Sequence, residues 1–270
     1  MRLFLLSLTL PALLAAQDPV DIIRRATELD RHNTEVARNY TYLERQERRD
    51  LDSNGKLKKS ECETFDVTLL EGSPYRRLVA RNDAPLSPKD QRKQQDKLQK
   101  SIEERGHETP AQRQQRTADW ERKRAKQREP LLELPDAFRF TLAGEETLNG
   151  GTAYVIDGTP KPGYRPKNSS TAFFPKVKLR FWIDKTDYQW VKVDIESLDT
   201  ITFGGFLIRL AKGTHMTIES ARINNEVWLP KHAAIKGSVR IALVKVIHGE
   251  ITYTFSDYKK FQAESRIVPQ

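Results

Sequence analysis

"KLRFWIDKTDYQWVKVDI", residues 178–195, alternates almost without interruption. Leu179, Phe181 and Ile183 share one parity, with Lys178, Arg180 and Trp182 between them. After Asp184–Asp187, Val191, Val193 and Ile195 alternate with Lys192, Asp194 and Glu196. Successive strand side chains point to opposite faces, so each half predicts a strand with one buried face. The polar break between them predicts a hairpin turn. Such hairpins either enclose only their own core or build a surface that holds something else.

The pattern repeats on both sides. "YTYLERQERRDLDSNGKLKKSECETFDVTLL" predicts two long strands joined at Ser53–Lys56, with Asn54-Gly55 at the centre of a type I′ turn. Another strand is expected over Tyr75–Ala80, and two short ones around Asn149-Gly150-Gly151. Downstream, turns are expected at Asn224-Asn225 and His248-Gly249, with Ile251, Tyr253 and Phe255 alternating after the second. Ahead of the strands, Asp18 and Pro19 suit an N-cap and first helical position, and Ile22, Ala26, Leu29 and Val36 make one apolar stripe. One amphipathic helix plus roughly eight to ten antiparallel strands joined by short turns is an α+β architecture with a strongly curved sheet.

The chain has 270 residues, 31% of them charged, and a net charge of +9. Its mean hydropathy of −0.67 excludes an integral helical membrane protein for the bulk of the chain. The long apolar run is Leu3–Leu14, preceded by Arg2 and followed by Ala15-Ala16. That is the layout of an export signal, residues 1–16, with a buried N-terminal element as the alternative. No cysteine follows the run, so a periplasmic location is expected without a lipoprotein anchor. Residues 17–270 are expected to form one domain. The sole cysteine, Cys62, has no internal disulfide partner; it fits a strand position, or a thiol available to another chain.

Composition changes over residues 85–130. Thirteen Lys or Arg stand against eight Asp or Glu, and β-branched residues nearly vanish. Two helices that bury little are expected there, on either side of Gly106 and Pro110. The segment is either a solvated insertion in a sheet loop or a basic arm for an anionic membrane surface or an envelope protein. Export speaks against nucleic acid as the anionic partner.

No catalytic constellation stands out. The five histidines lack metal-ligand spacing, and no GxSxG elbow, Walker loop or GxGxxG follows a strand. Asp194 and Glu196 lie on the polar parity of their strand. No enzyme activity, metal or cofactor is expected, although carboxylate dyads leave no spacing signature and a hydrolase stays open as an alternative.

The order of an export signal, a helix, "YTYLERQERR", "GEETLNGGTAYVIDGTPK", "FWIDKTDYQWVKVDI", "EVWLPK" and "YTFSDYKKF" resembles the periplasmic lipoprotein-carrier superfamily of LolA-like and LolB-like proteins. The likeness covers Asp18–Tyr75 and Phe138–Phe261, and leaves out the basic segment. It implies an incomplete antiparallel barrel whose mouth is closed by helices, with an apolar cavity for acyl chains. The expected function is an extracytoplasmic carrier or sensor of a lipid or acylated protein. The alternative is a non-enzymatic envelope protein with a filled core that binds a partner through residues 85–130.

On this expectation the apolar strand parities supply cavity residues: Phe181, Ile183, Val193, Tyr253 and Phe255. "DTITFGGFLIRLAKGTH", residues 199–215, is more apolar than a turn requires. Phe203, Phe206, Leu207 and Leu210 around Gly204-Gly205 either cap the core or form a flap over the cavity. In the flap reading, Arg209 and Lys212 are rim charges for an anionic headgroup.

Overall fold

The computed structural model describes residues 17–203, 208–241 and 245–261. The expected export signal, Phe206 and Leu207 therefore lie outside the described residues, as does the Phe203 side chain. Helix α1 (Pro19–Ala37) leads into β1 (Tyr40–Leu51), β2 (Leu57–Leu70), β3 (Ser73–Arg81) and β4 (Ala84–Pro85). Helices α2 (Pro88–Gly106) and α3 (Pro110–Ala137) follow, then β5 (Phe138–Leu148), β6 (Gly151–Pro160), β7 (Val177–Asp184) and β8 (Trp190–Ser197). The chain continues through β9 (Ile201–Phe203), β10 (Ile208–Leu210), β11 (His215–Ile223), β12 (Val227–Ile241) and β13 (Lys245–Lys260). The eight to ten strands expected become thirteen among the described residues because β4, β9 and β10 are two or three residues long, too short for periodicity to find.

All strands join one antiparallel sheet in the order β4-β3-β2-β1-β13-β12-β11-β8-β7-β6-β5, with β9 and β10 attached beside β12. The sheet does not close, so the α+β incomplete barrel is the observed fold. Its two edges are β4 and β5. The chain between those edges is the basic segment, so the insertion is the connection that crosses from one edge of the sheet to the other. At 28 residues α3 is about 42 Å long, enough to span much of it. The helix continues past Pro130 to Ala137, with Pro130 and Pro135 inside it, so the basic segment ends within α3.

Directly opposed residues share a face, and the registers trace one row across the sheet. Ile156 faces Phe181, Phe181 faces Val193, Val193 faces Ile218, Ile218 faces Ala233, and Ala233 faces Tyr253. Tyr253 then faces Gln46, and Gln46 faces Glu63. The row is sealed at one end, where Ile156 and Phe181 are 0% and 2% exposed, and opens by Ile218 at 37%. Over the sealed end lie Ile22, Ile23 and Ala26 of α1 with Leu134 and Ala137 of α3, forming the main core with Phe138, Phe174 and Ile183.

Four local expectations change. Leu29 is exposed, because Ile23 and Thr27 are buried and turn the buried arc of α1 about 90° away from it; the Thr27 hydroxyl is satisfied by donating to Ile23 O at 2.9 Å. Val191 leaves the parity of Val193. Lys192 faces Trp182 and Trp190 faces Ile183, so Val191 is an extra, bulged residue. It packs on the opposite face with Ala153, Val155 and Trp182. His248-Gly249 is not a turn: β13 runs straight through it. A Cβ on Gly249 would stand 2.2 Å from Arg49 O, so that glycine permits close strand approach. At Asn54-Gly55 positive φ occurs at Gly55 alone; Gly55 N donates to Asp52 O at 3.1 Å and Asp52 N to Lys56 O, a three-residue loop instead of type I′.

Candidate ligand cavity

The far half of the same sheet face is not filled. There residues of α3, β1, β2, β12 and β13 border a half-open cavity of about 360 Å³, within the usual ligand-pocket range of roughly 300–1,000 Å³. Its floor is aromatic. Tyr42 lies 5.8 Å from Phe255 and 5.5 Å from Tyr258 between ring centroids, and Val67, Leu69 and Leu229 complete the apolar wall. Trp120, Arg124 and Gln127 of α3 form the roof, and Ala37 and Arg38 at the end of α1 close one side.

Local sequence explains this placement. Thr109 and Gln112 form a reciprocal capping box that starts α3. Arg116 then fastens it to the β2–β3 corner, donating to Glu71 O at 2.9 Å and to the Ser73 hydroxyl while pairing with Glu108 at 2.7 Å. Arg105 of α2 donates to Leu70 O at 2.6 Å. Toward α1, Arg128 pairs with Asp30 at 2.7 Å, Arg38 with Glu121 at 2.6 Å, and Arg124 donates to Thr34 O at 2.7 Å. The roof is thus held by polar latches at both ends instead of by a packed apolar seam.

Burial dominates the electrostatics. It pushes the Tyr42 and Tyr258 hydroxyls above the ordinary phenol value. The Tyr258 hydroxyl donates to Pro230 O at 2.5 Å. Arg124 is pushed below the ordinary guanidinium value by burial; Glu121 opposes this, while Arg38 and Arg128 reinforce it. Its guanidinium sits 4.7 Å from the centre of the Trp120 ring. A second hollow of about 220 Å³ continues toward Trp190 and Trp228, sharing Ala37, Arg124, Leu229 and Pro230 as walls.

Of the residues singled out in the sequence, Phe255 lines this cavity, and Tyr253 stacks beside it at 6.5 Å. Phe181 and Ile183 sit in the main core, with Val193 and Leu210 packed against it. Arg209 is half-buried on β10 and Lys212 is exposed beside it, where Ile201 is buried against the core. The structure therefore does not bring the hairpin segment and Phe255 into one cavity wall. Tyr42, Trp120, Arg124 and Tyr258 were not singled out. Trp120 carried a signal, as an isolated aromatic in the otherwise polar "TADWERKRAK". Among the described residues, no cluster of three or more His, Cys, Asp or Glu side chains is placed to hold a metal ion, and no helix is long and apolar enough to cross a membrane.

No family model matches the chain, and no curated protein does. Solved structures similar to it include a putative outer membrane lipoprotein-sorting protein domain from Vibrio parahaemolyticus. That match covers 91% of this chain and 95% of the other, at 12% identity and a TM-score of 0.37. A LolA superfamily protein from Nitrosomonas europaea matches over 93% and 96%, at 12% identity and a TM-score of 0.31. A DUF1329 family protein from Desulfovibrio piger matches over 90% and 95%, at 11% identity and a TM-score of 0.29.

Proposed function

We propose that the protein is an extracytoplasmic carrier or sensor that holds the apolar chain of a lipid or acylated protein between the sheet and α3. The observation that carries this is the aromatic-floored cavity of about 360 Å³ beneath a helix held by polar latches. Burying eight methylenes there contributes about 6 kcal/mol at ~0.8 kcal/mol each, before the cost of association. The export-signal pattern of residues 1–16 supports a location outside the cytoplasm. Native mass spectrometry of protein purified from its own envelope tests the proposal, which expects co-purified lipid. Ligand-free protein that also fails to bind a fluorescent fatty acid contradicts it.

A second reading, a partner-binding role, is supported by α2. None of its side chains is buried, and Lys89, Arg92, Lys93, Lys97 and Lys100 are exposed. Because residues 85–130 include the cavity roof, their deletion mixes the two roles. Charge reversal of Lys93 and Lys97 to Glu separates them: partner capture falls while lipid binding stays.

A further inference from the structure

The walls of the cavity carry a charge asymmetry. Two of its lining side chains are guanidiniums, Arg38 and Arg124, and none is a carboxylate. Arg38 is engaged by Glu121, and the neighbouring Arg128 by Asp30. Among the described residues no carboxylate pairs directly with Arg124; nearby Glu121, which acts on its charge, is engaged by Arg38. Its Nη2 donates to Thr34 O and its plane faces Trp120, while its Nη1 is buried with no hydrogen-bond partner among the described residues. A buried donor without an acceptor is costly, more so on a charged group. Arg124 also stands where the two hollows share a wall, so a group bound to it has space for an apolar chain over the Tyr42–Phe255 floor.

Building on the carrier reading above, we infer that the cavity selects a single-chain amphiphile with one anionic head, a carboxylate or phosphate, seated on the Arg124 guanidinium. The planar guanidinium offers such a head a charge-assisted hydrogen bond without first breaking an ion pair. An alcohol of the same chain length gains the apolar floor and leaves the charge unanswered. A cationic head meets Arg38 and Arg124, while the acids beside them, Glu121 and Asp30, are already paired with Arg38 and Arg128.

Calorimetric titration of the full-length protein with dodecanoate, dodecyl phosphate, dodecanol and dodecyltrimethylammonium tests this. The two anions are expected to bind at least tenfold more tightly than the alcohol, and the cation more weakly than any. In Arg124→Gln the anion preference is expected to collapse to within about twofold with dodecanol affinity retained; thermal melting establishes that this variant folds. Arg124→Lys, which keeps the charge, is expected to keep part of the preference. Equal wild-type affinity for acid and alcohol overturns the inference and leaves the carrier reading standing. So does an anion preference that survives in Arg124→Gln. If that variant does not fold, the wild-type ratios and Arg124→Lys decide. Failure of every probe to bind removes the carrier reading, and this inference with it.

Discussion

One sheet face carries two halves built on different rules. Over β5–β8, α1 and the last turns of α3 press Ile22, Ile23, Leu134 and Ala137 into a bed of Phe138, Ile156, Phe174 and Phe181, all within a few per cent of complete burial. Over β1, β2, β12 and β13, the same α3 carries Trp120, Arg124 and Gln127 above Tyr42, Phe255 and Tyr258, and a cavity remains. The difference lies in what α3 offers. Its end supplies Leu131, Leu134 and Ala137, which fill space. Its middle supplies long polar side chains that bind rims and carbonyls and leave the centre open. A single helix thus acts as core filler at one end and roof at the other.

Truncation separates the halves most strongly. Phe138→Ala removes a side chain that is 0% exposed and packed 5.1 Å from Phe174 between ring centroids. A loss of about 3–5 kcal/mol is expected, measured by urea denaturation. Phe255→Ala in the hollow half is expected to lose about 1 kcal/mol, while fatty-acid affinity drops at least tenfold. Equal stability losses at the two sites would erase the distinction. The roof latch comes next. Arg128→Ala breaks the pair with Asp30, whose side chains are 27% and 16% exposed. Its expected cost is below about 1 kcal/mol, read more clearly as faster hydrogen exchange across the middle of α3 than across α1.

The smallest effect concerns pH at the outer rim of the hollow half. The Arg45 guanidinium, bonding at 2.8 Å, holds the Asp83 carboxyl down at about 2, against an ordinary 3.8. A depressed folded value stabilises above the unfolded one and is lost as pH falls through the folded one. The wild type should therefore lose melting temperature more steeply than Asp83→Asn between pH 4 and 2. Matching acid limbs would show that the pair contributes nothing. Asp83 is exposed, so salt should weaken the difference further.

The strands were legible because one face of each is buried and period two survives in the text. The alternation of Phe181, Ile183 and Val193 marks one sheet face, yet alternation does not say whether such a face meets side chains or empty space. The α2–α3 segment was legible as two weakly burying helices. Its role as a roof was not, because that follows from β4 and β5 being the two edges of the sheet, a pairing between distant residues. The Val191 bulge and the passage of β13 through Gly249 escaped for a similar reason: each is set by a neighbouring strand's register, which local sequence does not contain. Trp120 and Arg124 read as part of a solvated charge run because their partners lie on β1, β13 and α1.

The most direct test of the hollow half is a crystal structure of the protein grown with 12-bromododecanoate, with anomalous scattering marking the bromine. The account predicts a bromine peak among Tyr42, Val67 and Phe255, and a carboxylate against Arg124. Bromine at the β9–β10 hairpin or on the outer surface, with the cavity beneath Trp120 left empty, would contradict it.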